Sequence, residues 1–98
     1  MKITTKSGFK CSVNENKVKD WRFVSTTAKI SKAKDEIVII DSLNFLLNFL
    51  LGEEQSNALV EHLSRNGGIA DVEKVMAEYR EIVERLSEQL KKSSASLE

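Results

Sequence analysis

The chain has 98 residues, of which 41% are apolar, so it is long enough for one packed domain and too short for two. It has no proline and one cysteine, which excludes a proline-rich linker and a small secreted fold held by internal disulfides. Fifteen basic residues balance fifteen acidic ones, so the overall charge indicates neither nucleic acid nor a membrane as partner.

The charges are nevertheless divided unevenly along the chain. Residues 1–34 carry nine basic and two acidic residues, a charge of +7, whereas residues 35–98 carry six basic and thirteen acidic ones, a charge of −7. Two interpretations are open. Either the two halves fold against each other and neutralise locally, or the protein presents a basic and an acidic face that can associate head to tail or steer an acidic partner.

The N-terminal residues predict a β-hairpin. A three-residue loop, Lys6-Ser7-Gly8, pairs Ile3 with Cys11 and Thr5 with Phe9 and gathers the apolar side chains on one face. Such a loop needs a left-handed residue at its last position, so Gly8 is expected at positive φ. Because an isolated hairpin is marginally stable, its apolar face is expected to pack on helices. That face consists of Met1, Ile3, Phe9, Cys11 and Val13.

The first predicted helix covers about Lys17–Ile30. Helical spacing places Val18, Trp21 and Val24 on one side of it, which predicts that Trp21 is a core residue. The N-terminal cap of this helix is expected to be one of two asparagines, Asn14 or Asn16.

The second predicted helix begins after a cap at Asp35, ends at Leu51 and is the most apolar part of the chain. Eleven of the 15 residues in Ile37–Leu51 are apolar, fewer than the about 20 that a membrane span needs, so the run predicts a core helix covered on nearly every side. Either the rest of the chain suffices to cover it, or a second copy or a partner completes the cover. Its polar residues form one narrow stripe, Asp41, Asn44 and Asn48.

Two further helices are predicted. Gly52 ends the second helix, and a third helix begins at Glu53-Glu54 and stops at Asn66-Gly67-Gly68. Asp71 caps a fourth helix that runs to about Lys91. Its apolar residues recur at spacings of three and four: Val72, Met76, Tyr79, Val83, Leu86 and Leu90.

The predicted fold class is α+β and mainly helical, with an N-terminal β-hairpin packed on a bundle of about four helices. Residues 1–92 are expected to form a single domain and residues 93–98 a frayed tail. The final Leu97-Glu98 is interpreted as the remnant of an expression tag.

No catalytic, metal-binding or cofactor-binding site is predicted, so the protein is not expected to be an enzyme. Cys11 and His62 are the only residues of their types, whereas a zinc site needs three or four such ligands. Cys11 is expected to be buried, and His62 to lie at the surface or its boundary. The lysines of the basic half are scattered instead of forming a recognition helix, so nucleic acid is not an expected partner.

The C-terminal part of the fourth helix is the predicted partner-binding surface. The apolar stripe is widened by Val75 and Ile82 in its first half and then narrows to a seam that is typical of a coiled coil. The alternative is that the leucines of this seam pack within the protomer. The seam consists of Val83, Leu86 and Leu90.

Four stretches of the sequence resemble a known family. They are, in chain order, Thr5-Lys6-Ser7-Gly8-Phe9-Lys10-Cys11, Leu50-Leu51-Gly52-Glu53-Glu54-Gln55, Glu61-His62-Leu63 and Val72-Glu73-Lys74-Val75-Met76-Ala77-Glu78. In this order they are similar to the small tail assembly chaperones of long-tailed phages and prophages that infect mainly Gram-positive bacteria. The basic stretch Lys29–Lys34 departs from that pattern, which is more acidic there, so no surface is transferred from it.

The resemblance implies a non-enzymatic function in phage tail assembly. Such chaperones keep the long helical tape-measure protein soluble while tail-tube subunits assemble around it, and they are absent from the mature virion. The implied partners are the tape-measure protein, the tail-tube protein and further copies of the chain, with no membrane, and the implied location is the cytoplasm of the bacterial host. The alternatives are an oligomeric scaffold protein of a prophage without client binding and a small nucleic-acid-binding protein.

Overall fold

The structure is a computed structural model that describes residues 1–65 and 68–96. It is mainly helical and carries the predicted two-stranded antiparallel hairpin at its N-terminus. The predicted turn residues Asn66-Gly67 and the C-terminal Leu97-Glu98 lie outside the described residues. The elements are β1 (Lys2–Thr4), β2 (Lys10–Ser12), a 3₁₀ helix (Glu15–Lys19), α1 (Trp21–Lys32), α2 (Glu36–Leu63) and α3 (Val72–Ser96).

The hairpin has the predicted register and turn. Ile3 pairs with Cys11, and Gly8 closes the turn at φ 93°. The amide of Thr5 donates to the carbonyl oxygen of Phe9 at 2.9 Å, which extends the pairing to the end of the loop. Four of the five residues predicted for the inner face are buried, whereas Met1 stays partly exposed. The four are Ile3, Phe9, Cys11 and Val13.

Side chains of α2 and α3 hold the hairpin against the helices. The Gln55 amide donates to the carbonyl oxygen of Ser12 at 2.9 Å and accepts from the Ser12 amide at 2.8 Å. The carboxylate of Glu81 accepts from the backbone amide of Lys6 at 3.0 Å. The bonds to Ser12 satisfy backbone groups on the edge of a two-stranded sheet, and the bond to Lys6 satisfies an amide of the turn.

The first helix begins later than predicted, and this changes its buried face. Asn14 caps the 3₁₀ helix, and Asp20 then caps α1 by accepting from the amide of Arg22 at 2.8 Å. Phe23 is buried, whereas Trp21 is 77% exposed. The prediction that Trp21 belongs to the core is therefore wrong. The spacing of Val18 and Trp21 crosses the junction between a 3₁₀ helix and an α-helix, so the two residues do not share one helical face.

The predicted second and third helices follow each other directly as two arms of α2, so the described residues form three α-helical elements, and the break between the arms lies at Gly52, where the second helix is predicted to end. Asp35 caps α2 as predicted, by accepting from the amide of Ile37 at 2.9 Å. The helix kinks at Gly52, which has φ 81° and ψ 160°, and helical structure resumes directly after it. Residues with a side chain rarely adopt these angles, so the glycine is what permits the kink.

We expect Gly52→Ala to lower the free energy of unfolding by about 1–3 kcal/mol. A Cβ atom at this position would meet no heavy atom within 4 Å, so the cost comes from backbone strain and not from a clash. Urea unfolding followed by circular dichroism measures the change. The matched control is Asn57→Ala at an exposed position of α2, which should shift stability by no more than about 0.5 kcal/mol. Equal effects of the two substitutions would contradict this explanation of the kink.

The core lies where the hairpin, α1, α2 and α3 meet. The largest fully buried side chains are Leu46, Leu50, Leu59, Ile82 and Leu86.

Asp71 caps α3 as predicted, since its carboxylate accepts from the amide of Lys74 at 2.9 Å. Among the described residues, no helix is long and apolar enough to cross a membrane.

The apolar run of α2 is not covered on nearly every side, which corrects the prediction for this helix. Ile37, Ile40 and Phe45 are exposed. The hairpin and the other helices cover one side of α2, and the described residues form no further element that covers the other side.

Candidate protein-interaction surface

The structure divides the predicted partner-binding seam of α3 between core and surface. Leu86 is 0% exposed and belongs to the core, so it is not available to a partner in this fold. Val83 and Leu90 are half-buried. Val83 lines a cleft of about 360 Å³ between α1 and α3, together with Ile30 and Met76. The seam is therefore not one continuous exposed surface, because the same heptad-like spacing also serves packing inside the protomer.

A groove between α2 and the start of α3 is the candidate site. Its volume is about 290 Å³, just below the ~300–1,000 Å³ of small-molecule pockets. The described residues that line it are uncharged, and most of them are apolar, so it suits apolar side chains of another protein. They are Ile40, Leu43, Asn44, Leu47, Ser56, Val60, Ala70, Val72 and Val75.

The kink in α2 and the cap of α3 together produce this groove. Leu43 and Leu47 precede Gly52, and Ser56 and Val60 follow it, so the groove residues come from both arms of α2. Since four-residue spacing keeps side chains on one helical face, each arm contributes one row to the groove. The start of α3 after its cap at Asp71 supplies the opposite wall.

Several apolar side chains at the groove are left in contact with solvent. Ile40 is 45% exposed and Val60 is 44% exposed, and both line the groove. Ile69, which directly precedes the lining residue Ala70, is 73% exposed. Single exposed apolar residues are ordinary on protein surfaces, but a cluster of them around a concave apolar groove is typical of a binding site for another protein.

The groove lies in the acidic part of the chain. Residues 35–73 contain eight acidic residues and one basic residue, Arg65, and all nine are exposed. Residues 1–34 have the opposite character, because eight of their nine basic residues are exposed and neither Glu15 nor Asp20 is. Residues 74–92 differ from residues 35–73, because they expose five basic residues and two acidic ones, so the acidic surface belongs to residues 35–73.

The ion pairs do not neutralise one half with the other. The three that the described residues form join the N-terminus to Glu15 at 3.6 Å, Arg22 to Asp20 at 3.0 Å and Arg85 to Glu81 at 3.3 Å. Each pair connects two groups of the same half. The guanidinium of Arg22 holds the pKa of the Asp20 carboxyl below its usual value by hydrogen bonding to it. These observations favour the interpretation in which the protein presents a basic and an acidic surface.

The surroundings of Cys11 and His62 indicate that both side chains stabilise the fold. Cys11 is buried as predicted, and its burial, together with the charge of Glu78, raises the pKa of its thiol, which keeps the thiol protonated and unreactive. His62 is half-buried, and its Nε2 atom lies 3.0 Å from the carbonyl oxygen of Ser7, so it joins α2 to the hairpin turn. In the part of the chain that the structure describes, no three metal-ligating side chains form a cluster.

Comparisons of the chain with protein-family models, curated proteins and solved structures found no match. The function is therefore proposed from the residues themselves and from the surface they form.

The groove was not predicted from the sequence, although one signal for it was present. Ile37 and Ile40 adjoin the polar stripe that begins at Asp41, and a helical face on which apolar and polar residues meet is the edge of a buried surface.

Proposed function

We propose that the chain is a non-enzymatic tail assembly chaperone of a phage or prophage, which binds the tape-measure protein in the host cytoplasm while the tail tube assembles. The observation that carries the proposal is the uncharged apolar groove between α2 and α3, with Ile40 and Val60 partly exposed within it. Grooves of this kind bind the apolar face of an amphipathic helix. The stretches that resemble the tail assembly chaperones support the choice of a long helical client.

The groove offers reversible binding. A fully buried leucine, valine or isoleucine contributes about 1.5–3 kcal/mol, and association itself costs about 4–15 kcal/mol. A client helix that places only a few apolar side chains in the groove is therefore held weakly at each site. Weak binding at many sites along a long client prevents its aggregation and allows tail-tube subunits to displace the chaperone. The eight exposed acidic residues of residues 35–73 keep the complex in solution.

Co-expression with the client tests the proposal. The client is the product of the long helical open reading frame that is expected beside this gene, and the measurement is the fraction of that product left in the supernatant after centrifugation. We expect a soluble complex of the two proteins when both are expressed and aggregation when the client is expressed alone. A client that is equally insoluble in both cases would contradict the proposal.

The divided surface charge also favours a second candidate, an oligomeric scaffold protein without a client. Eight exposed basic residues in residues 1–34 and eight exposed acidic residues in residues 35–73 can pair between copies. Self-assembly combined with no effect on the solubility of the tape-measure protein would support the scaffold function and exclude the chaperone function.

A further inference from the structure

We infer that the groove between α2 and α3 binds helix α1 of a second copy of this chain. The first observation is an outward-facing apolar stripe on α1. Trp21 is 77% exposed and Val24 is 46% exposed, and Ala28, one turn further along, is exposed as well. Residues at these spacings share one helical face, so the stripe is continuous. The buried residue of the helix, Phe23, lies on another face and anchors α1 in its own protomer.

The stripe is flanked by positive charge. Lys32 follows Trp21 by about three helical turns and therefore lies on the same face, and Lys29 lies beside it. Both lysines are exposed, as is Arg22. The outer face of α1 is thus basic and carries two large apolar side chains, Trp21 and Val24, that do not belong to the buried core.

The groove has the complementary properties. Its lining is uncharged and mostly apolar, and the segment that forms most of it, residues 35–73, exposes eight acidic residues and one basic residue. Three lining residues, Ile40, Val60 and Ala70, are each followed directly in the chain by an exposed acidic residue. An apolar stripe beside lysines fits such a groove, because docking buries apolar surface on both sides while opposite charges attract the two surfaces. A second copy supplies a helix of this chemistry at every encounter.

This interface joins two different surfaces, so it is heterologous. A pair of copies then has one stripe and one groove unoccupied, and further copies can add to either end. The inference concerns the protein without any client and does not depend on the proposed function. If a client uses the same groove, it competes with α1 of the neighbouring copy.

Two complementary variants test the interface. The stripe variant is Trp21→Asp with Val24→Asp, and the groove variant is Ile40→Asp with Val60→Asp. All four residues are exposed, and helix content measured by circular dichroism confirms that each variant folds. The matched control is Phe45→Asp, an exposed residue of α2 that lies outside the groove lining. Molar mass is measured by light scattering after size-exclusion chromatography.

We expect the wild-type chain and the control to form assemblies larger than a dimer, with a mass that falls as salt is raised. Each variant alone should elute as a monomer of 11.0 kDa. The equimolar mixture of the two variants should form a one-to-one pair, because the intact groove of one meets the intact stripe of the other. Charge reversal by Lys29→Glu with Lys32→Glu, which alters exposed lysines only, should weaken assembly at low salt.

Three results would overturn the inference. They are a wild-type chain that is monomeric at every concentration, variants that assemble like the wild type, and a mixture of the two variants that stays monomeric. A monomeric wild type that still keeps its client soluble would assign the groove to the client alone and leave the proposed function intact.

Discussion

Leu86→Ala is expected to lower the free energy of unfolding by about 2–5 kcal/mol, the range for a fully buried leucine. Leu86 is 0% exposed, so removing most of its side chain leaves a cavity that the surrounding core fills only in part. The free energy of unfolding of an ordinary domain is about 5–15 kcal/mol, so the loss is a large fraction of that total. Thermal and urea unfolding measure it.

Leu90→Ala is the matched control for this prediction. Leu90 lies one helical turn further along α3 and is only half-buried, so its replacement is expected to cost less than that of Leu86. The comparison separates a core residue from a partner-binding one. Unchanged stability of Leu86→Ala, together with loss of binding to a partner, would contradict the placement of Leu86 in the core.

The groove variant, Ile40→Asp with Val60→Asp, is expected to lose the ability to keep the client soluble. Both residues line the groove, and a bound client would cover the new carboxylates. Burying an unpaired charge costs several kcal/mol, and about 1.4 kcal/mol corresponds to a tenfold change in affinity. We therefore expect client binding to weaken by at least about a hundredfold. The soluble fraction of the co-expressed client and a titration with a client segment measure this loss.

Phe45→Asp is the control that makes the result specific. Phe45 is 42% exposed, close to the values for Ile40 and Val60, and it stacks on Phe49 at a ring distance of 6.0 Å outside the groove lining. It adds one negative charge to the helix in which the groove variant adds two, so it controls for the effect of a new carboxylate on general solubility. Loss of client solubility with Phe45→Asp as severe as with the groove variant would show that the groove has no special part in binding.

Local features of the sequence predicted local features of the structure. The register of the hairpin follows from alternating apolar residues and from a glycine that can adopt positive φ, and all of these residues lie within the first thirteen of the chain. The caps at Asp35 and Asp71 follow from the preference of helix N-termini for a short acidic side chain. The basic character of residues 1–34 was visible in the sequence, and it is a surface property because eight of the nine basic residues are exposed.

Features that depend on how the elements pack were not predictable in the same way. Trp21 is exposed because α1 begins after a cap at Asp20, whereas the sequence predicted a cap at Asn14 or Asn16. Leu86 packs inside the protomer. A leucine that packs on a partner helix would have the same apolar spacing in the sequence, so the sequence does not distinguish the two cases. The groove depends on the angles that Gly52 adopts, which glycine permits but does not dictate.

The central claim is that the groove between α2 and α3 binds protein, and methyl NMR of the chain titrated with a segment of the tape-measure protein tests it most directly. The stripe variant is the sample of choice, because it is expected to be monomeric with its groove open. We predict shifts of the methyl resonances of Ile40, Leu47, Val60 and Val75, and unchanged resonances for Val83, which lines the cleft between α1 and α3. Shifts confined to Val83 and Leu90, or no shifts at any segment concentration, would contradict the claim.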